Sequence, residues 1–162
     1  MSGLILGIGD YGASNKPGSY VKTLALGSCI AVVLLDSKTH TVGMVHVALP
    51  EAKISPDKAA SKPGYFADTG IPILLKQMAA LGCNANGKGL LVKLAGGAQI
   101  LDPSGVFNIG KRNLLAVKKF LWKHRLGAVA EDVGGTISRT VTVEIDTGKV
   151  TINSAGRGSW VI

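Results

Sequence analysis

Cys29 and His46 are the two residues of this chain whose types suit nucleophilic chemistry, a thiol to attack an acyl carbon and an imidazole to carry its proton. Both lie in TLALGSCIAVVLLDSKTHTVGMVHVAL, the stretch from Thr23 to Leu49. Ile30 to Leu35 and Val42 to Leu49 are apolar and β-rich, and Asp36-Ser37-Lys38-Thr39 between them is polar turn material, so the stretch predicts an antiparallel hairpin. A turn centred on Ser37-Lys38 sets Cys29 opposite His46. Their Cβ atoms would then be about 4.5–5.5 Å apart on one face, within reach of a thiol–imidazole hydrogen bond. Neither turn residue is Gly or Asn, so a two-residue primed turn is not strongly signalled, and a slip of one residue turns one side chain to the other face.

Gly27-Ser28 breaks the apolar run just before Cys29, which places the thiol after a tight bend where backbone N–H groups are free to point at a ligand. A thiolate beside such donors and a His has a lowered pKa and a ready oxyanion site. The competing reading makes Cys29 one more small apolar residue of a buried strand. Thr23 falls in Tyr20 to Ala25, which alternates as a strand does; its hydroxyl or carbonyl is placed to accept an N–H from His46 and fix the tautomer. Thr is also common in strands for packing alone.

Six motifs occur in one order: Thr23 with Leu26-Gly27-Ser28-Cys29, His46 within MVHVALP, KPGYFADT from Lys62, Ala95-Gly96-Gly97-Ala98, Asn108-Ile109-Gly110-Lys111-Arg112-Asn113, and Ala130-Glu131-Asp132-Val133-Gly134-Gly135. On these the chain resembles the chemoreceptor glutamine deamidases, the CheD family, from Ile8 to Val150. The resemblance implies a cysteine amidohydrolase with Cys29 as nucleophile, His46 as general base and Thr23 as third member. It also implies a layered αββ sandwich, similar in its core to bacterial toxins that deamidate glutamine in small GTPases. The implied substrates are glutamines on the cytoplasmic helices of methyl-accepting chemoreceptors, deamidated to methylatable glutamates, and the implied partner is a CheC-type phosphatase. Catalysis of this kind needs no cofactor and no metal. A non-catalytic docking role on the receptor or on that phosphatase is the alternative. Departures from the family pattern fall in the tail after Asn153 and in Leu101-Asp102-Pro103-Ser104-Gly105, which is one residue longer.

The rest of the chain has to position these groups. Its 162 residues, 46% hydrophobic and 17% charged, suffice for one domain with a substantial core, spanning residues 1–162. Twenty-two Gly, six Pro and 5% aromatics point to short strands and many turns, not a helical bundle. Two Cys are too few for a disulfide framework, and no basic segment leads into an apolar run at the N-terminus, so a cytoplasmic location is expected. Gly, Ser, Asp and Lys interrupt every apolar segment short of the roughly 18 residues of a membrane span, so no direct membrane insertion is expected. The net charge of +8 favours an acidic protein partner over nucleic acid, because the aromatics are sparse and not interleaved with basic residues. His40, His46 and His124 fall in different elements without ligand spacing.

Strands are predicted at Leu4 to Gly9, Tyr20 to Ala25, Leu90 to Leu94, Val129 to Val133, and in a hairpin of Thr140 to Ile145 with Val150 to Ile152; Tyr11 to Ser19 reads as turn and loop. Pro50 to Thr69 reads as a long polar loop, flanking the catalytic cleft or inserted without order. Asp68 or Thr69 caps a predicted helix to Leu81, with Ile71, Leu74, Leu75 and Met78 as its apolar stripe, and Cys83 just past it reads as structural. A second helix spans Lys111 to Arg125, with Leu114, Val117 and Leu121 inward and Arg112, Lys119 and Lys123 on an outward basic stripe. Gly96 and Gly97 either shape a substrate slot beside the thiol or turn a corner; with Gly27 and Ser28 they complete the candidate oxyanion and substrate-binding set. Glu131 and Asp132, adjacent on a strand, point to opposite faces and argue against a paired-carboxylate glycosidase. The fold expected is α+β: largely antiparallel sheets in two layers, with two main helices on one face.

Overall fold

The computed structural model of the chain describes residues 2–100 and 107–162. The longer Leu101 to Gly105 stretch therefore lies outside the described residues. One sheet is ordered β1 (Gly3–Leu6), β3 (Tyr20–Leu26), β8 (Arg139–Glu144), β9 (Val150–Ser154) and β10 (Gly158–Val161). The second is ordered β2 (Tyr11–Ser14), β5 (Thr41–Val47), β4 (Ile30–Asp36), β6 (Leu91–Gly96) and β7 (Ala128–Val133). Among the described strands, only the β1–β3 and β6–β7 pairings within the two sheets are parallel, so the sheets are largely antiparallel, as expected.

Helices α2 (Ala67–Ala80) and α3 (Ile109–Lys123) cover the outer face of the second sheet, giving the αββ layering. This explains why β4 and β5 read as unbroken apolar runs: a strand covered on both faces has no solvent side to mark with polar residues. Ile30, Val32 and Leu34 pack outward against Ile71, Leu74, Met78, Val117 and Leu121 of the helices. Ala31, Val33 and Met44 pack inward against Val21, Leu26 and Val141 of the first sheet.

Pro50 to Thr69 is neither a loop nor an unordered insertion. It forms two 3-10 turns around α1 (Pro56–Ser61) and then the start of α2. The Tyr65 carbonyl accepts the N–H groups of Ala48 and Leu49 at 2.9 and 3.0 Å, and a Cβ on Gly64 would lie 2.4 Å from the Gly9 oxygen. The segment thus props the end of β5. Asp68 and Thr69 do not cap α2. Helix α2 begins at Ala67, the Asp68 carboxylate accepts the Ala52 N–H at 2.9 Å, and the Thr69 hydroxyl donates to the Pro63 carbonyl.

Two strands escaped the sequence pattern. Tyr11–Ser14 pairs with Val42–Val45 as an edge strand, and Gly158–Val161 pairs with Thr151–Ser154. Each is four residues long, too short for a period of two to register, and each is held by the neighbour it adds to.

Candidate active site

Burial in β3 turns Val21 and Thr23 toward the interior between the sheets. After Thr23 the pairing with β8 shifts register, with Ala25 at φ 56°, and this bulge returns Leu26 to the interior. The chain then crosses from the first sheet to the second, entering β4 at Ile30. Gly27-Ser28-Cys29 is that crossing. Each of its carbonyls is held: Gly27 O accepts from Ala98 N–H at 2.9 Å, Ser28 O from the Asn113 side-chain amide at 2.9 Å, and Cys29 O from Gly97 N–H at 2.9 Å. Among the described residues, the N–H groups of Ser28 and Cys29 donate to none.

Gly96 and Gly97 are what lets β6 close on this crossing. Gly96 has φ 114°, and a Cβ there would sit 2.1 Å from the Cys29 carbonyl oxygen, so only glycine fits. The Gly97 N–H, bonded to the Cys29 carbonyl, braces the main chain at the thiol.

The hairpin register differs by two residues from the one predicted. Ala31, not Cys29, stands opposite His46, and Ile30 stands opposite Val47. The physical reason is the loop. The Asp36 carboxylate accepts the Lys38 N–H at 3.1 Å and the Thr39 hydroxyl at 2.9 Å, and His40 takes φ 52°, which makes a four-residue connection closed by Asp36 and Thr41. A shift of two preserves every side chain's face. Cys29 therefore still packs into the interlayer, half-buried and diagonal to His46.

Thr23 and His46 meet as the sequence suggested. Thr23 Oγ1 lies 2.7 Å from His46 Nδ1 and 2.7 Å from the Leu6 carbonyl oxygen, and both side chains are fully buried. The Leu6 carbonyl can only accept, so the single hydroxyl proton goes to it, and the short contact to His46 must carry the Nδ1 proton. The imidazole is thereby held with Nε2 bare. His46 Nε2 is buried and has no hydrogen-bond partner among the described residues.

The thiol does not hydrogen-bond this nitrogen, and its electrostatics run opposite to the lowered pKa expected from the sequence. Burial pushes the Cys29 thiol up to about 11. Burial likewise pulls His46 down to about 4, over the opposing pull of the Asp10 carboxylate and with Lys62 adding to the fall. Asp10 is held below the usual carboxylate range chiefly by the Gly7 N–H, with Lys62 3.3 Å away. At neutral pH the site rests as thiol and neutral imidazole.

Two contributors were missed in the sequence. Asn113, fully buried on α3, gives one amide N–H to Ser28 O and the other to Ala48 O, each at 2.9 Å. The signal was present: the buried stripe of α3 runs Gly110, Asn113, Ala116, Val117, Leu121, with one polar member. Arg139, 3% exposed, binds Asp132 at 3.0 Å and the Gly96 carbonyl at 3.2 Å, and the Trp160 indole donates to the other Asp132 oxygen. That network ties the first sheet to the glycine end of β6.

The segment after β5 and helix α3 border an open groove of about 560 Å³. Leu49, Ile54, Ile109 and Leu115 make it apolar, Arg112 and Lys119 line it with positive charge, and Lys53 pairs with Glu51 on the same wall. No helix among the described residues is long and apolar enough to cross a membrane.

Residues 48–154 match the family model for CheD, described as CheD chemotactic sensory transduction. A probable chemoreceptor glutamine deamidase CheD of Syntrophotalea carbinolica is 57% identical over 162 residues, covering all of both chains. A probable chemoreceptor glutamine deamidase CheD 1 of Syntrophus aciditrophicus is 45% identical over 96% of each chain. The chemoreceptor glutamine deamidase CheD of Thermotoga maritima is 40% identical over 95% of this chain and 93% of its own. With a model match over most of its length and relatives aligned from end to end, the chain belongs to the CheD family.

Proposed function

We propose that the chain deamidates glutamine side chains of chemoreceptors through Cys29, His46 and Thr23. The observation that carries this reading is the His46 ring, fixed by Thr23 so that a bare, buried Nε2 faces no protein partner. An unpaired buried nitrogen costs stability, and a general base is a reason to keep one.

The rest state decides how the nucleophile is made. Burial pushes the thiol up to about 11 and the imidazole down to about 4, so a separated thiolate and imidazolium lie well above the neutral pair. The proton therefore leaves Sγ as the C–S bond forms, not before. Cys29 Sγ attacks the glutamine amide carbon, His46 Nε2 takes the thiol proton, and the unpaired N–H groups of Ser28 and Cys29 hold the oxyanion. His46 then gives that proton to the leaving nitrogen, the C–N bond breaks, and ammonia departs from a thioester. Water, deprotonated by Nε2, attacks the thioester; the C–S bond breaks, the thiol is restored, and glutamate remains.

The groove along α3, with Arg112 and Lys119 on its wall, supports a docking role for acidic receptor helices. On the same reading the enzyme meets the receptor from the cytoplasm, and a CheC-type phosphatase is a further partner. The test is mass spectrometry of a receptor cytoplasmic fragment. A unit mass increase at specific glutamines is expected with the wild-type chain and none with Cys29→Ala; an increase that survives the substitution overturns the mechanism.

A further inference from the structure

We propose that Asn113 is a positioning residue whose side-chain amide clasps the Ser28 and Ala48 carbonyls and so sets the spacing of the Cys29 thiol from the His46 imidazole. The inference rests on the roles given above to Cys29 and His46. Hairpin pairing of β4 with β5 ends at Ile30 opposite Val47. One residue further the strands part, because the N–H groups of Ala48 and Leu49 both turn to the Tyr65 carbonyl. This is where the reacting groups sit: Cys29 directly follows Ser28, and His46 lies two residues before Ala48. Asn113 supplies the cross-strand link the backbone no longer makes.

The orientation of the amide is settled by its partners. Two main-chain carbonyls can only accept, so the group facing both is the NH2. The cost falls on the other end, where Asn113 Oδ1 is buried without a partner among the described residues. A side chain kept for packing alone would be apolar here, as Val117 and Leu121 are on the same stripe. The clasp is also anchored. A Cβ on Gly110 would lie 2.4 Å from the Gly97 oxygen, so α3 rests directly on the backbone that braces Cys29. Asn113 therefore reaches the crossing from a fixed support.

Loss of the clasp should let the crossing and the end of β5 drift apart, and a misplacement of about 1 Å costs about 10²-fold in rate. The test compares Asn113→Leu, which keeps the bulk and removes both donors, with Val117→Ala, which loosens the same helix and leaves the clasp. For Asn113→Leu, kcat on a receptor fragment should fall about 10²-fold with KM unchanged, and the pH dependence of Cys29 alkylation should move to lower pH as the thiol is released from its buried seat. Val117→Ala should lose thermal stability and change neither. Alkylation needs no receptor, so a wild-type protein without deamidase activity would refute the functional reading and still leave the clasp under test. If Asn113→Leu does not fold, Asn113→Ala carries the same measurements. The proposal is overturned if a folded variant keeps kcat within twofold, if its alkylation profile is that of the wild type, or if neither variant folds, which would make Asn113 a residue of the fold alone.

Discussion

Replacing Thr23 with Val removes one oxygen and keeps the shape of the side chain, so it isolates what the hydroxyl does. In the wild type that oxygen is 2.7 Å from His46 Nδ1 and 2.7 Å from Leu6 O, with no solvent to replace it. The Val variant leaves the Nδ1 proton unpaired in a buried site, a cost of about 1–3 kcal/mol. The ring escapes part of that cost by moving its proton to Nε2, which turns the base into a donor. At about 1.4 kcal/mol per factor of ten, the competent tautomer and with it kcat/KM should fall about 5- to 150-fold. Thr23→Ser retains the hydroxyl and should stay near wild type. The assay is steady-state ammonia release from a receptor fragment, with thermal melting alongside to separate lost activity from lost fold. The loss should also be smaller than that of Cys29→Ala, since the Val variant still holds its nucleophile and some competent base. If Thr23→Val keeps kcat/KM within twofold of wild type while Thr23→Ser does the same, the hydroxyl does not set the tautomer and the reasoning fails.

Titration gives a second expectation. With its thiol near pKa 11, Cys29 should be alkylated slowly at neutral pH and about tenfold faster per pH unit toward that value; a plateau at neutral pH would show a preformed thiolate instead. His46, lowered from 6.5 to about 4, takes up its proton in the unfolded state first, so stability is intact above pH 6.5 and declines as the pH falls toward 4, by about 3 kcal/mol in all; urea melts of wild type and His46→Asn should converge in acid. Gly96→Ala should cost about 2–6 kcal/mol, from overpacking against the Cys29 carbonyl and a strained φ, whereas Gly134→Ala, with open space around its Cβ, should show only the backbone part; equal losses in denaturant would discount the close approach. Reversing Lys119 and Lys123 to Glu lowers the net charge from +8 by two units at each site, to +4, and should slow association with a receptor fragment and flatten its salt dependence while leaving Cys29 alkylation unchanged; an unaltered association rate would make the stripe an ordinary solvated face.

What the sequence made legible here was set by how local each signal was. β3, β4, β5, β8 and β9 announced themselves through β-branched runs, and α2 and α3 through apolar stripes, because burial in these elements repeats with the period of the backbone itself. Residue faces survived even where register did not. Asp36, by bonding Lys38 and Thr39, built a four-residue loop that no two-residue turn rule anticipates, yet the displacement of two left Thr23, Cys29 and His46 on one side. That Thr23 fixes the His46 tautomer was legible, but which ring nitrogen keeps the proton was not, because the direction of the hydroxyl depends on Leu6, whose carbonyl reaches Thr23 through the parallel pairing of β1 with β3. Nor was the sign of the Cys29 shift. A nearby His and free N–H groups argue for a low pKa in solution, but packing Cys29 into the interlayer under Ala31, Val33 and Ala95 removes the water a thiolate needs, and desolvation outweighs partners that do not touch the sulfur. The same limit hid Asn113. Its place on the helix stripe was visible, but its meaning came from two carbonyls, at Ser28 and Ala48, that adjoin only once the hairpin has closed and α3 has settled on Gly97. Chemistry that rests on side chains of one hairpin can be foreseen from spacing; chemistry that rests on which carbonyl is left without a partner requires the whole fold.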